Sequence, residues 1–193
     1  MRKMILAVYC MIMAISASAQ TDTLHMCFRG VPIDGTLSSF VEKMQRQGYK
    51  HIQTDGGISM MTGNFAATAD CLIGIVSEES NDLVFKVGVI FPEKETWSSL
   101  ASEYYALKEM LTKKYAEPND CIEEFESTYQ PDDDMTRILY VKMDKCKYAA
   151  GFETKNGYIE LGIIKGDSGG QVRLMYWDKI NSDLAEKSAI DDL

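Results

Sequence analysis

Hydrophobic residues recur at helical spacing in two segments of the chain. The first segment follows Thr36, a candidate N-cap, and stops before Gly48; its hydrophobic positions i, i+3, i+4 and i+7 are Leu37, Phe40, Val41 and Met44. The second segment follows Thr96 and ends near Tyr115, with a hydrophobic stripe formed by Trp97, Leu100, Tyr104, Leu107 and Leu111. Both patterns predict amphipathic helices. On the solvent side of the second helix we expect Ser99, Glu103, Lys108 and Lys113.

Runs of strand-like composition fill most of the remaining chain. Turn signals such as Asp55-Gly56-Gly57 and Lys155-Asn156-Gly157 separate them. Four strands are predicted after the first helix, at residues 49–53, 58–64, 71–77 and 83–91. Five are predicted after the second, at residues 121–125, 137–143, 147–153, 158–164 and 172–177. The acidic tail, residues 181–193, fits either a short helix or a frayed end.

The order of these elements predicts an α+β fold made of two tandem αβ4-type repeats. The two halves share a weak pattern, because Ile73-Gly74-Ile75-Val76 and Leu161-Gly162-Ile163-Ile164 each precede a polar turn and another hydrophobic strand. The alternative is the ordinary similarity of any two β-hairpins. The predicted division is a first repeat at 20–95, a second at 96–180 and a tail at 181–193. Both helices would cover one face of an antiparallel sheet.

The first 19 residues carry the pattern of a secretory signal peptide. Arg2 and Lys3 precede an apolar run at residues 4–15, and small residues at 16–19 predict cleavage after Ala19. The apolar run is too short to span a bilayer, and no later stretch reaches spanning length without charges. The sequence therefore predicts a periplasmic or secreted protein without a membrane span in its mature chain.

Composition and charge exclude several classes of function. The 193 residues are 46% hydrophobic and 25% charged, as in ordered globular proteins, and the formal net charge is −9. A nucleic-acid partner is not expected, because binding phosphates requires a basic surface. The chain has 2 histidines, which leaves little room for histidine-based metal or acid–base chemistry. We predict no catalytic residue, no metal and no cofactor.

Four cysteines remain after the predicted cleavage: Cys27, Cys71, Cys121 and Cys146. Disulfides persist in exported proteins, and four cysteines allow three pairings. We favour one bridge in each repeat, Cys27–Cys71 and Cys121–Cys146. The alternative is four buried thiols.

Three segments resemble a known group of proteins. They are residues 28–37 (FRGVPIDGTL), residues 63–65 (GNF) and residues 113–118 (KKYAEP). The group consists of exported Bacteroidetes proteins without an assigned activity, similar in architecture to β-lactamase inhibitory protein, whose tandem helix-plus-sheet repeats form a concave binding surface. The resemblance implies a fold rather than an activity, because it includes no catalytic motif and no inhibitory contact residue can be matched to this chain.

Three motifs suggest chemistry, and each has a simpler structural interpretation. Gly166-Asp167-Ser168-Gly169-Gly170 resembles the nucleophile segment of trypsin-like proteases, but His25 and His51 lack the context of a catalytic base. Asp132-Asp133-Asp134 lacks the Gly and Glu of an EF-hand calcium loop. Carboxylates at 123, 124 and 126 could serve glycoside hydrolysis, but a strand places the first of them on the opposite face. We therefore predict a loop, a solvated turn and an exposed strand face.

The predicted function is that of an exported, non-enzymatic protein-binding module of the inhibitor or immunity type, acting through a sheet surface. Its acidity would speed association with a basic partner protein. Tyrosines provide large contact areas at protein interfaces, and the candidate partner-binding residues are Tyr129, Tyr140, Tyr148 and Tyr158. The alternative is an envelope protein that binds a small molecule, a glycan or a peptide. A hydrolase ranks below both.

Overall fold

The structure is a computed structural model, and it describes residues 24–191. The predicted signal peptide, residues 1–19, lies outside the described residues. Within them the helices are α1 (Leu37–Arg46), α2 (Trp97–Tyr115), α3 (Asp134–Lys142) and α4 (Lys179–Asp191). None of these four helices has the length and apolar character needed to cross a membrane. The strands are β1 (Cys27–Phe28), β2 (Val31–Pro32), β3 (Lys50–Asp55), β4 (Ile58–Phe65), β5 (Thr68–Ser77), β6 (Val84–Ile90), β7 (Asp120–Phe125), β8 (Cys146–Thr154), β9 (Gly157–Lys165) and β10 (Gly170–Asp178).

The longer strands form one antiparallel sheet of eight strands in the order β3-β4-β5-β6-β10-β9-β8-β7. The four strands after α1 make up one half, and the four strands after α2 make up the other. The halves meet where β6 pairs with β10, with Val89 opposite Leu174. β1 and β2 form a separate two-stranded sheet. The predicted α+β class with a large antiparallel sheet is thus confirmed.

One face of the sheet is buried beneath α1, α2 and α3. Alternate residues of β5 and β10 point into this core, because successive side chains of a strand face opposite sides. Both predicted N-caps are confirmed: the hydroxyl oxygens of Thr36 and Thr96 accept hydrogen bonds from the backbone N–H groups of Ser39 and Ser99. The helices contribute to the core Leu37, Phe40, Met44, Trp97, Leu100, Tyr104, Leu107, Leu111, Ile138 and Val141.

Two charged residues of α2 are partly buried, so the prediction that they face solvent is wrong. The side chain of Glu103 is 13% exposed and lies 3.5 Å from the ammonium group of Lys94. The side chain of Lys108 is 22% exposed and lies 2.6 Å from the carboxylate of Glu123. Helix periodicity alone could not show this, because both partners come from outside the helix.

Residues 137–142 are helical and Met143 is the C-cap of that helix, so the strand predicted at residues 137–143 is wrong. The carboxylate of Asp133 caps α3 by accepting hydrogen bonds from the backbone N–H of Thr136 at 2.8 Å and from its hydroxyl at 2.6 Å. Ile138 and Val141, three residues apart, are buried together on one side of this helix.

A buried polar network joins the N-terminal segment to α4. The carboxylate of Asp178, which is fully buried, accepts hydrogen bonds from the backbone N–H groups of Met26 and Asn181. The side-chain amide of Asn181 donates to the backbone carbonyls of Ile33 at 3.0 Å and Val84 at 2.9 Å. Because α4 is tied to the start of β6 in this way, it lies across the end of the sheet.

The two edge strands of the sheet hinder pairing with an additional strand in different ways. Every residue of β3 is exposed, and a bulge between His51 and Gln53 interrupts its regular backbone. At β7, the side-chain amide of Gln130 pairs with the edge: its oxygen accepts from the N–H of Phe125 at 2.9 Å, and its nitrogen donates to the carbonyl of the same residue at 2.9 Å.

No disulfide joins the cysteines within residues 24–191. The predicted Cys121–Cys146 bridge is wrong because of strand register. Cys146 lies opposite Phe125, four residues along β7 from Cys121, which places the two Cα atoms about 13 Å apart or more, beyond the reach of a disulfide. The predicted Cys27–Cys71 bridge is also not formed, and the Cys71 thiol instead donates to the carbonyl of Thr68.

Candidate functional site

The candidate site is the second face of the sheet, over which no helix packs within the described residues. Along β10, Arg173, Met175 and Trp177 stay partly exposed, whereas their neighbours on the same strand are buried. We call this surface the open face. By strand register it comprises Ile58, Met60, Thr62, Leu72, Gly74, Val76, Lys86, Gly88, Ile90, Asp120, Ile122, Glu124, Lys147, Ala149, Gly151, Glu153, Tyr158, Glu160, Gly162, Arg173, Met175 and Trp177.

A row of small and flexible residues crosses the centre of the open face. Met60, Gly74, Gly88 and Met175 lie side by side on β4, β5, β6 and β10. A Cβ atom at Gly88 would lie only 2.7 Å from the sulfur of Met175, and one at Gly74 would lie 3.6 Å from the sulfur of Met60. Gly88 therefore leaves room for the thioether of Met175, whereas a Cβ at Gly74 would make ordinary contact with Met60. Thioether side chains adapt easily to the shape of an apolar partner.

An aromatic pair lies beside this row, where β10 pairs with β9. The rings of Trp177 and Tyr158 have their centroids 5.7 Å apart. The Tyr158 hydroxyl donates to the carboxylate of Asp120 at 3.3 Å, in space left by the absent side chain of Gly151. Burial, followed by the charge of Asp120, raises the pKa of Tyr158, so its hydroxyl stays protonated at neutral pH.

Charge is distributed unevenly over the open face. Glu160 pairs with Arg173 at 2.6 Å, and Lys147 pairs at 3.2 Å with Glu126 in the loop after β7. At the end formed by β7, β8 and β9, the carboxylates are Asp120, Glu124, Glu153 and Glu160. This end therefore carries more negative than positive charge.

The four tyrosines proposed from the sequence do not form one site. Tyr158 lies on the open face. Tyr148 lies on the helix-covered side of the sheet, with its ring 4.9 Å from that of Trp97, and Tyr140 packs at 6.0 Å against Phe125. Tyr129, 86% exposed, lies in the loop before α3.

The protease-like segment is a loop that binds a carboxylate of its own chain. Glu93 accepts hydrogen bonds from the backbone N–H groups of Ser168, at 2.6 Å, and Gly169, and from the Ser168 hydroxyl at 3.3 Å. Although desolvation opposes them, these bonds lower the pKa of Glu93. The histidines have other contacts: His25 lies 3.1 Å from Asp178, and His51 lies 2.9 Å from Thr54. The segment thus has a structural role that accounts for its glycines.

The acidic triplet caps two helices. Asp133 caps α3, and the carboxylate of Asp134 accepts hydrogen bonds from the backbone N–H groups of Trp97 at 3.2 Å and Ser98 at 2.6 Å, at the start of α2. In the part of the chain that the structure describes, no group of three His, Cys, Asp or Glu residues is arranged to hold a metal ion.

Two clefts lie near α1 rather than on the open face. The first, of about 450 Å³, lies between α1 and β3, with Leu37 and Val41 as apolar lining and Glu42, His51 and Asp82 as polar lining. The second, of about 400 Å³, is lined by Arg29, Gln47, Gly48, Tyr49, Lys50, Thr62, Gly63, Asn64 and Asp70.

Sequence reasoning missed Met60, Met175 and Trp177 as members of one surface. The signal that could have found them lies in residues 172–177, where apolar residues occur at both even and odd positions and so on both sides of the strand.

Comparisons with protein-family models, with curated proteins and with solved structures found no significant match to this chain.

Proposed function

We propose that this protein is an exported, non-enzymatic module that binds another protein through the open face. One observation carries the proposal: a sheet of eight strands leaves one face without a helix in the described chain, and the centre of that face is apolar. Ile58 and Ile122, near its two edges, are each 44% exposed. Contiguous exposed apolar surface rimmed by polar residues is typical of protein interaction sites.

The centre of the open face has the composition of a binding hot spot. Trp177 and Tyr158 form an aromatic pair, and Met60 and Met175 flank the two glycines beside it. Tryptophan, tyrosine and arginine contribute most to binding at the centres of protein interfaces. Arg173, which lies in the next row of β10, completes this set. We therefore place the anchor of the interaction at Trp177.

The partner that fits this surface is a protein with basic residues beside an apolar patch. The carboxylates of Asp120, Glu124 and Glu153 lie at the β7–β8 end of the open face, and the whole chain has a net charge of −9. Complementary charge speeds association and fixes the orientation of the partner. An inhibitor of a basic enzyme and an immunity protein against a basic toxin both meet this description.

We also propose that the chain consists of two tandem units, residues 20–95 and 96–180, each a helix followed by four strands. The strand order supports this division, because the first strand of each unit, β3 or β7, forms an outer edge of the sheet. The last strands of the two units, β6 and β10, pair with each other in the centre. α3, inserted between β7 and β8, has no counterpart in the first half of the described chain. Export, proposed from residues 1–19, would bring the open face to partners outside the cytoplasm.

Substitution of Trp177 tests the proposal. Residues 20–193 are immobilised, candidate partners are captured from envelope extract, and each is purified and titrated against wild type and Trp177→Ala. We expect the substitution to weaken binding by about thirtyfold or more, which corresponds to about 2 kcal/mol for a hot-spot residue. Tyr129→Ala is the matched control, because it removes an exposed aromatic ring outside the open face. The affinity of this variant for each partner should stay within about twofold of wild type, as expected for a residue outside the contact.

Thermal unfolding of both variants shows whether they are folded under the binding conditions. If folded Trp177→Ala binds every purified partner as tightly as wild type, the open face is not the binding site and the proposal is wrong. The same holds if Tyr129→Ala alone abolishes binding.

A second candidate function rests on the cleft between α1 and β3, whose volume of about 450 Å³ is within the range of small-ligand sites. It would accommodate a small molecule, a glycan unit or a peptide side chain. Val41→Trp fills this cleft without changing the open face. Loss of a co-purifying ligand in native mass spectrometry of Val41→Trp, with Trp177→Ala unchanged, would favour this second function.

A further inference from the structure

A cysteine, a lysine and a glutamate form a cluster at the edge of the sheet, on its helix-covered side. The ammonium group of Lys108 on α2 donates to the sulfur of Cys121 at 3.1 Å and to the carboxylate of Glu123 at 2.6 Å. Cys121 is exposed on the edge strand β7, whereas the side chains of Lys108 and Glu123 are only 22% and 26% exposed. The cluster thus presents the Cys121 sulfur to solvent and holds a cation against it.

Lys108 carries its charge at neutral pH. Desolvation lowers its pKa, but the hydrogen bonds to Glu123 and Cys121 outweigh this and raise the pKa of Lys108 above its usual value. An ammonium group in contact with a cysteine sulfur stabilises the thiolate, which is the reactive form of the side chain. Glu123 acts in the opposite direction, since its carboxylate repels the thiolate and shares the same ammonium group.

A buried hydroxyl points toward the same cluster. Tyr104 is fully buried, and the group nearest to satisfying its hydroxyl is the carboxylate of Glu123, although the two do not form a hydrogen bond of good geometry. After burial, the charges of Glu123 and Cys121 contribute most to raising the pKa of Tyr104, and both charges also raise that of its neighbour Tyr105. Tyr104 therefore keeps its proton and lies on the buried side of the cluster, close to Glu123. The titratable groups that face Cys121 are Lys108, Glu123, Tyr104 and Tyr105.

Two other cysteines provide an internal contrast. Cys71 is fully buried, and burial raises the pKa of its thiol. Cys146 is partly exposed, but burial raises the pKa of its thiol to about 12. The charges of Lys94 and Lys147 act on Cys71 and Cys146 without offsetting burial, whereas Lys108 donates a hydrogen bond directly to Cys121. Oxidants and alkylating reagents should thus reach and react with Cys121 before either of them.

We propose that Cys121 is a site of oxidation by peroxides, with Lys108 as the residue that activates its sulfur. The thiolate attacks one oxygen of hydrogen peroxide, a sulfur–oxygen bond forms, and the oxygen–oxygen bond breaks. The sulfur loses two electrons and becomes sulfenic acid, while the leaving hydroxide takes a proton from solvent to become water. The new oxygen can accept a hydrogen bond from Lys108, whose ammonium group already donates to the sulfur.

The sulfenic acid would not be converted to an internal disulfide with Cys146. The register of β7 and β8 separates the two residues by about 13 Å or more, beyond disulfide reach. A soluble low-molecular-weight thiol would therefore be the group that condenses with it, with release of water. This chemistry makes Cys121 a reversible modification site that is independent of the open face.

The test measures trapping of sulfenic acid at each cysteine of the purified protein. Wild type, Lys108→Met and Lys113→Met are treated with equimolar hydrogen peroxide at pH 7 in the presence of dimedone, and the labelled peptides are quantified by mass spectrometry. In wild type we expect the label on the peptide of Cys121 and not on those of Cys71 or Cys146. Lys108→Met should slow the labelling about tenfold, the effect of removing a neighbouring positive charge. Lys113→Met, an exposed lysine on the same helix, should label at the wild-type rate.

Glu123→Gln provides the opposite test, because it removes the repulsive carboxylate while leaving Lys108 in place. We expect it to label several-fold faster than wild type. Circular dichroism confirms that each variant is folded before treatment. Equal labelling of Cys121 in wild type and folded Lys108→Met, or slower labelling in Glu123→Gln, would overturn the proposal, as would preferential labelling of Cys71 or Cys146.

Discussion

The two faces of the central sheet are formed by the same strands, yet in the described structure only one of them is covered by helices. On β10, Leu174 and Tyr176 are buried under the helices, while Met175 and Trp177, one residue further along, stay partly exposed. The covered face lacks charged residues near its centre, whereas the open face includes Lys86, Glu160 and Arg173. Charged groups are costly to bury unless they are paired, so they keep the second face in contact with water.

If the open face binds a partner as proposed, this difference separates the residues that stabilise the fold from those that recognise the partner. The covered face holds the hydrophobic core, and its residues should be sensitive to any change of volume. The open face contributes less to folding because its side chains bury less surface. Its apolar centre is thus available to a partner, and substitutions in the two faces should have effects of very different size.

Leu174→Ala should cause the largest loss of stability. Leu174 is 1% exposed at the centre of the covered face, so its truncation loses burial and leaves a cavity beneath α2. We expect the free energy of unfolding to fall by about 2–5 kcal/mol. Urea denaturation followed by circular dichroism measures it. A loss below about 1 kcal/mol would mean that the covered face is not the tightly packed one.

Asn181→Ala should cause a smaller but still large loss. Its side-chain amide satisfies the buried carbonyls of Ile33 and Val84, and each would be left without a donor. We expect a loss of about 2–3 kcal/mol in urea denaturation. Hydrogen exchange should become faster in residues 24–36, because the network ties that segment to α4. Unchanged exchange there would contradict the structural role of Asn181.

Met175→Ala should have little effect on stability, although it changes the residue next to Leu174. The side chain of Met175 lies on the open face and is only partly buried against Gly88. We expect a loss below about 1 kcal/mol under the same conditions. Equal losses for Met175→Ala and Leu174→Ala would remove the distinction between the two faces.

Glu103→Gln should produce the smallest change, and in the direction of greater stability. Burial raises the pKa of Glu103 above the usual 4.5, although Lys94 opposes this, and one carboxylate oxygen has no hydrogen-bond partner in the described structure. Because the pKa is higher in the folded state, the folded protein binds the proton more tightly than the unfolded chain. The stability contributed by this group is therefore present below pH 4.5 and lost as the pH rises through the raised value.

Urea denaturation of wild type and Glu103→Gln at pH 4 and pH 7 measures this effect. We expect the variant to gain up to about 1 kcal/mol relative to wild type at pH 7, and less at pH 4. A variant that is less stable than wild type at pH 7 would show that the Lys94 pair outweighs desolvation.

Local signals in the sequence were sufficient for most of the fold. Thr36 and Thr96 precede clear helical patterns, so both helices were predicted with their caps. α3 was missed because the acidic residues at 132–134 were interpreted as a hairpin turn, whereas Asp133 is the cap of a helix. Its run of Ile138, Leu139, Tyr140 and Val141 has strand-like composition, and packing against α2, β9 and β10 adds to the Asp133 cap in favouring the helix.

The candidate site and the cysteine geometry depended on pairings between distant strands. The open face forms only because β6 pairs with β10, which brings Lys86 next to Trp177 from 91 positions away. Likewise, the register that separates Cys121 from Cys146 follows from the alignment of β7 with β8. Spacing along the chain contains no direct information on such alignments, so Tyr158 was assigned to a binding surface while Trp177 was not.

The Gln130 side chain hinders the addition of a further strand to the sheet at β7. Its amide occupies the hydrogen-bonding groups of Phe125 that an added strand would use, so β7 is a closed boundary at this point rather than a template for another chain. An extended peptide that approached this edge would first have to displace Gln130. Addition of a further strand beside Phe125 is therefore opposed by the protein itself, while the open face stays accessible to a partner.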